Sequence, residues 1–371
     1  MNRGGRAFSE SAMHGKEYTM KAPVPLVCPH DGTELIPTGD GGYESRSGRT
    51  YPALKGVPRF VEQEGYASAF GAQWKRFQRT QLDSHTKTTL SRDRLERIAG
   101  GSLDVFAGKT VLEVGCGAGR FTEVMLEAGA GVFSCDLSAA VEANLNNFSG
   151  NPDHFVCQAD LRHLPVRKEQ FDVVVCLGVI QHTPSPEETI KRLVDQVAPG
   201  GLLLIDHYGK NYPDTLSRRI LRSFLLRKPP EYTLRFCERF CKLLWPLHRT
   251  AYKLSKFRGL WRIEPIVEKL SPVADYQYGR PELGEKLLFE WAVLDTHDSL
   301  TDRYKHTRSV EELRAVLEAL PLGSIECARG GNGVECRARK SVATQSGSSP
   351  VDPVRSSEPV IANDGEGNSG N

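Results

Sequence analysis

The sequence predicts an α/β fold built on a largely parallel sheet. Three observations carry that reading. Short apolar runs alternate with helical stretches from Thr110 onward, a glycine-rich turn closes the first run, and Arg329-Gly330-Gly331-Asn332-Gly333 signals a late hairpin. Parallel strands are predicted at about 110–115, 131–136, 153–157, 171–177 and 201–207, with helices between them at about 119–129, 138–147 and 186–197. Ser309-Val310-Glu311-Glu312 is a capping box that opens a helix to about Leu320. Strands near 323–328 and 333–339 then flank the hairpin turn, which makes seven strands in all.

The chain has 371 residues, 39% hydrophobic and 25% charged, enough for one full-sized domain and a smaller appendage. It has no apolar run of about 18 residues to span a membrane, and its first residues lack the apolar centre of a signal peptide. A cytoplasmic protein is the expectation. The nine cysteines form no C-x-x-C pair and several sit in apolar runs, so reduced core thiols are expected. Charge is uneven: residues 208–262 hold 14 Lys or Arg against 3 Asp or Glu, a local +11 in a chain of net +2.

Residues 1–21 and 341–371 are polar and poor in large apolar side chains, and read as disordered. A small module is expected over 22–62 and the main domain over 63–340, with a basic helical insertion at about 208–300. In the module, Leu26-Val27-Cys28-Pro29-His30-Asp31-Gly32 and Tyr51-Pro52-Ala53-Leu54-Lys55-Gly56-Val57-Pro58 read as short strands and tight turns. It resembles the zinc-ribbon-like domain of the small activator subunit of tRNA and protein methyltransferases. Only Cys28 survives of that family's knuckles, with Ser45 and Ser47 where the second would fall. Four Cys or His ligands are not within reach of Cys28 and His30, so no metal is expected. Phe70-Gly71-Ala72-Gln73-Trp74 follows without an assigned role, and Ser91 is expected to cap a helix to Ile98.

The chemistry begins at Val111-Leu112-Glu113-Val114-Gly115-Cys116-Gly117-Ala118-Gly119-Arg120. A buried strand ends in glycines that permit a sharp turn and close backbone approach to a ligand, and the next helix offers unpaired N–H groups. A dinucleotide turn reads G-x-G-x-x-G, whereas here the third glycine is Gly119 and position 120 is arginine. Asp136 ends the second strand, where a carboxylate either accepts from vicinal ribose hydroxyls or caps the next helix. Asp160 follows the third strand, and Phe171-Asp172-Val173-Val174-Val175-Cys176-Leu177 leads into Gly178-Val179-Ile180-Gln181-His182.

Together these segments resemble the class I S-adenosylmethionine-dependent methyltransferases, of the methyltransferase type 11 kind. The resemblance implies a Rossmann-like seven-stranded sheet and S-adenosylmethionine as cofactor. It assigns Glu113, Gly115, Cys116, Gly117 and Gly119 to the methionine part, Asp136 to the ribose and Asp160 to the adenine amino group, adds Leu137, Leu161 and Leu177 as cofactor-binding, and sets the loop after 171–177 facing the methyl group and the acceptor. Asp160 is otherwise a solvated turn residue. Val197-Ala198-Pro199-Gly200-Gly201 resembles the turn before the fifth strand.

The sulfonium methyl of that cofactor is already activated, so a hydroxyl acceptor needs alignment and a base. His182 is the candidate base, because its loop faces the acceptor side; the alternative is a histidine that only buttresses the loop. Residues 295–306 resemble the segment that returns from an inserted cap to the sheet. There Arg303 or His306 is a candidate contact for an anionic acceptor, against a plain solvated loop.

In the insertion, Leu216, Ile220 and Phe224, then Tyr232, Phe236, Phe240, Leu243 and Leu247, recur near helical spacing, punctuated by Pro229-Pro230 and Pro246. Three readings stand: a cap over the acceptor pocket, a membrane-surface pair of helices, or a nucleic-acid face. A small-molecule acceptor (sugar, lipid-linked or secondary metabolite) is expected. An RNA-modifying enzyme and a non-catalytic cofactor-binding subunit are the alternatives.

Overall fold

The computed structural model describes residues 22–342, apart from 63, 64, 258, 261 and 278 and the side chain of 264. The ends read as disordered therefore lie outside the described residues, up to 21 and from 343. Residues 22–341 belong to one unit.

The N-terminal strands are too short to stand alone. β1 (Leu35–Pro37), β2 (Tyr43–Ser45) and β3 (Thr50–Tyr51) form an antiparallel sheet, and β4 (Ala53–Leu54) pairs with β5 (Val57–Pro58). Their apolar residues Leu26, Cys28, Leu35, Tyr51 and Phe60 merge into the core of the main sheet beside Phe133 and Phe155. Cys28 Sγ lies 3.1 Å from the Tyr51 hydroxyl, and Ser45 and Ser47 hydrogen-bond one another at 2.8 Å. Among the described residues no group of three or more His, Cys, Asp or Glu could hold a metal ion.

Helices α1 (Ser68–Arg76), α2 (Asp83–Thr86) and α3 (Leu90–Ala99) lead to the sheet. Ser91 does not cap α3 as expected, because it lies inside the helix. The cap comes from Asp83, whose carboxylate accepts from the Ser91 and Arg92 amides at 3.0 and 2.8 Å, and the Ser91 hydroxyl donates to the Gln81 carbonyl.

The main sheet follows the predicted order of elements. β6 (Thr110–Val114), α4 (Arg120–Glu127), β7 (Gly131–Asp136), α5 (Val141–Phe148), β8 (His154–Gln158), β9 (Phe171–Cys176), α6 (Pro186–Gln196) and β10 (Val197–Tyr208) alternate. Pro186 at the first turn of α6 presets its φ, and Glu187 and Glu188 there oppose the helix dipole. In the insertion, α7 (Leu216–Leu225), α8 (Pro230–Ser255), α9 (Ile263–Leu270) and α10 (Gly284–Thr301) precede α11 (Val310–Glu318), β11 (Leu322–Gly330) and β12 (Gly333–Lys340). The Ser309–Glu312 capping box at α11 is formed on both sides.

Strand order is β11-β12-β10-β9-β6-β7-β8, with β6 to β10 parallel and β12 antiparallel to β10. This is the Rossmann-like seven-stranded sheet of class I methyltransferases. Alternate residues serve the two faces: Leu112, Phe133 and Val174 bury on one, Val111, Val132 and Val173 on the other. Chain order reverses at β6, between β7 and β9, so a crevice opens at the carboxyl ends of these strands. The module lies along β8, where Arg59 bridges Gln158 and the Phe60 amide donates to the Gln158 carbonyl at 2.8 Å; the otherwise open sheet edge is covered.

Two expectations are corrected. The hairpin register sets Cys327 opposite Cys336, and the two are joined as a disulfide; the other seven cysteines are buried free thiols. Pro246 does not end a helix but stands inside α8, because Cys241, Trp245 and His248 anchor the helix on both sides of it.

Gly119 adopts φ +99°, and a Cβ there would lie 2.2 Å from Phe148 Cε2 and 3.1 Å from Asn144 Nδ2, whereas Gly129, at φ +84°, faces open space. Gly119→Ala is expected to cost roughly 1–3 kcal/mol more than Gly129→Ala in denaturant unfolding. Equal costs would show that no close packing exists at Gly119.

Candidate functional site

The ends of β6 and β7 are tied together before any ligand enters. The Cys135 carbonyl accepts from the Gly115 amide at 2.7 Å and the Cys116 amide at 3.1 Å. Asp136 Oδ2 accepts from the Gly117 amide at 3.0 Å, while Oδ1 accepts from the Ser138 amide and hydroxyl at 2.8 and 2.7 Å. Gly115 makes the turn at φ +73°, where a Cβ would strike Val179.

Over this turn lies a cavity of about 570 Å³, within the range of small-molecule sites. One wall is the crevice itself: Gly115, Cys116, Gly117, Asp136, Leu137, Asp160, Leu161 and Leu177 all line it. Two residues of the expected set do not. Gly119 sits behind the wall as the residue before α4. Glu113 is buried, with its carboxylate accepting from the Thr122 hydroxyl on α4 and, at 3.1 Å, from the Ser134 hydroxyl on β7. Asn144 on α5 donates to the same Thr122 hydroxyl at 3.1 Å. Glu113 is thus an internal bracket and not part of the cavity wall.

Burial raises the Asp136 carboxyl above its ordinary value, against hydrogen bonds from Ser138 and Gly117. At Asp160 burial also acts upward, but the hydrogen bonds and charge of Arg162, which grips both carboxylate oxygens, outweigh it and hold the group low.

The opposite wall comes from remote parts of the chain: Phe70 and Trp74 on α1, Arg120 on α4, Tyr208 at the end of β10, Tyr276, and Trp291, Asp295 and Asp298 on α10. Trp291 takes the Arg120 guanidinium over its face at 5.6 Å, and burial brings that arginine down to about 10. Tyr276 donates to Asp295, which burial pushes up to about 6; Tyr208 donates to Asp298 at 3.4 Å. These residues were missed in the sequence. Asp295 and Asp298 stood in a cluster where Arg303 and His306 were the candidates, and nothing in the insertion singled out Tyr276 or Trp291.

His182 ends a 3₁₀ turn after β9, between the rings of Phe70 (5.4 Å) and Tyr208 (5.2 Å), and borders the cavity. Its Nδ1 donates to the Tyr304 carbonyl at 3.2 Å and lies 3.5 Å from Asp302 Oδ2. Nε2 makes no hydrogen bond with the described residues and keeps its lone pair. Burial lowers the histidine, but Asp302, Asp298 and the Tyr304 carbonyl together raise it above its ordinary 6.5. Asp302 is buried and held by Arg222 at 2.8 Å and Lys305 at 3.4 Å. Arg303 and His306, expected near an acceptor, do not line the cavity. Arg303 is exposed, and the His306 amide donates to the Gln181 carbonyl at 3.0 Å as the chain returns to the sheet.

The Glu113 carboxyl is raised by burial to about 7, against its Thr122 and Ser134 hydrogen bonds. A carboxyl raised on folding contributes stability that is full below its unfolded value, 4.5, and is lost as pH rises through about 7. Glu113→Gln carries no such charge. Its unfolding free energy is expected to fall less than that of the wild type between these two pH values. Parallel curves would contradict the burial of an ionisable Glu113.

Residues 112–205 match the family model described as a methyltransferase domain. The ubiquinone biosynthesis O-methyltransferase of Azoarcus sp. is 34% identical over 130 residues, covering 34% of this chain and 56% of that protein. The chain therefore spans little more than half the length of that relative. The protein of the same name from Citrobacter koseri is 31% identical over 193 residues, covering 50% of this chain and 78% of that one. A solved magnesium protoporphyrin IX methyltransferase from Synechocystis PCC 6803, with bound SAH, aligns with 75% of this chain and 98% of that one at 17% identity and a TM-score of 0.38. An identity of 31% sustained across 78% of the Citrobacter relative shows the family: the chain belongs to the class I S-adenosylmethionine-dependent methyltransferases, with S-adenosylmethionine as cofactor.

Proposed function

We propose that this chain transfers a methyl group to a hydroxyl oxygen of a small-molecule acceptor, with His182 as the base. The observation that carries the reading is the state of the His182 ring. Donation from Nδ1 to the Tyr304 carbonyl leaves the lone pair on Nε2, on a ring that borders the cavity. The relatives at 31–34% identity named as O-methyltransferases support an oxygen acceptor.

When bound, the cofactor supplies an electrophilic methyl group on its sulfonium. The residues at the strand ends fit such a molecule. In this reading, loop 115–119 admits the methionine part where side chains would collide, with Gly119 and Glu113 shaping the loop from behind. The Asp136 carboxylate keeps lone pairs for ribose hydroxyls beyond its bonds to Gly117 and Ser138. Leu137, Leu161 and Leu177 give apolar surface, and Asp160 accepts from the adenine amino group.

On the other wall, Phe70, Trp74, Tyr276 and Trp291 exclude water and hold a ring or chain against the methyl group. His182 Nε2 takes the hydroxyl proton, and Asp302 steadies the imidazolium that results. The small cavity and its aromatic wall favour a small molecule over a polynucleotide.

The test is incubation with methyl-tritiated cofactor and fractionated metabolite and lipid extracts. His182→Gln is expected to lower turnover of the labelled acceptor about 10²- to 10⁴-fold with cofactor affinity unchanged. Because His182 must be neutral to act, the wild-type rate is expected to rise with pH through an inflection above 6.5. Asp302→Asn removes a group that raises His182, so the inflection moves to lower pH. Full turnover by His182→Gln with an unchanged pH profile would eliminate the base role.

A further inference from the structure

Helix α8 carries two apolar stripes. The first, through Leu234, Cys237, Cys241 and Trp245, is buried within the insertion, against α10 and its neighbours. The second, Tyr232, Phe236, Phe240, Leu243 and Leu247, runs about 145° round the helix: Phe236 and Phe240 are half-buried against the insertion's own cores, while Tyr232, Leu243 and Leu247 are exposed, Leu243 at 75% and Leu247 at 52%. Its rings stack in a ladder, Tyr232 on Phe236 at 6.4 Å and Phe236 on Phe240 at 5.5 Å.

The stripe continues on α7 through Leu216, Ile220 and Phe224, all exposed and one helical turn apart. Lys228 joins the two helices, lying 4.9 Å from the Phe224 ring centre and 5.9 Å from that of Tyr232. Among the described residues, six of the fifteen exposed large hydrophobic side chains lie on this stripe: Leu216, Ile220, Phe224, Tyr232, Leu243 and Leu247. Such clustering marks an interaction surface and not the scattered exposure of an ordinary monomer.

The charge around the stripe selects the occupant. Arg235, Arg239 and Lys242 are exposed along one flank and make no ion pair with a described residue, while Glu238 is taken by Arg76 at 2.8 Å. A second copy of the chain would bring +11 against +11. An anionic bilayer accepts both features at once, apolar side chains at the acyl boundary and cations among the headgroups. No helix among the described residues is long and apolar enough to cross a membrane, so the contact is with the surface. We infer that the outer face of α7 and α8 docks this protein onto an anionic lipid bilayer. This inference does not depend on which molecule accepts the methyl group.

The test is co-sedimentation of the full chain with phosphatidylcholine vesicles, with and without phosphatidylglycerol, across a salt series. The expected result is binding to the anionic vesicles that weakens as salt rises. Leu243→Glu/Leu247→Glu should weaken it by about tenfold or more, and Arg235→Gln/Arg239→Gln should reduce the preference for phosphatidylglycerol. Neither pair lines the cavity, so cofactor binding and far-UV circular dichroism should stay unchanged in both. No vesicle binding, binding indifferent to the leucine pair, or tighter binding to single-stranded RNA at equal salt would overturn the proposal. So would a wild-type dimer that Leu243→Glu dissociates.

Discussion

Everything at the site hangs on how the end of β6 is fastened to the end of β7. Two amides of the glycine turn share the Cys135 carbonyl, and a third reaches Asp136. This fastening holds the left-handed turn open toward the crevice. Glu113 secures it from beneath, joining the hydroxyls of α4 and β7. A buried carboxyl near neutrality is a costly bracket, and it remains because removing it would strand the two hydroxyls it satisfies.

The opposite wall of the cavity is assembled on a different principle. Its residues come from α1, α4, the turn after β9, the end of β10, the segment around Tyr276 and α10, so no local segment contains it. One polar chain links these parts: Arg222 on α7 pairs with Asp302, and Asp302 and the Tyr304 carbonyl face His182. The insertion therefore does more than cover the cavity. Its Arg222 holds Asp302 against the His182 ring, which borders the cavity. The cap itself is α10 with the segment around Tyr276, while α8 stands behind α10 and contributes nothing to the cavity wall. Its outer face is thereby left for another use.

The sheet was legible because parallel strands buried on both faces write themselves as unbroken apolar runs, such as Phe171–Cys176, ended by turn residues. Most of the crevice wall was legible for the same reason, since it lies where those runs stop. Glu113 misled because its neighbours in sequence line the site while its side chain alternates to the other face. Residues 295–306 misled through composition. Their density of ionisable groups drew attention to Arg303 and His306, yet most of the segment is the buried end of α10. There His297 lies between Gln73 and Thr233, at 2.8 and 3.0 Å, and Asp295 is met by Tyr276. Such pairings are long-range and leave no periodic trace. The Cys327–Cys336 bond was hidden similarly, since only the hairpin register brings the two opposite one another.

The most direct measurement is calorimetric titration of the wild type and of Asp136→Ala with S-adenosylhomocysteine. If Asp136 both fixes the glycine turn and accepts the ribose hydroxyls, the wild type binds and the variant loses about tenfold to a hundredfold or more in affinity. Equal affinity in the two proteins would contradict the account at its centre.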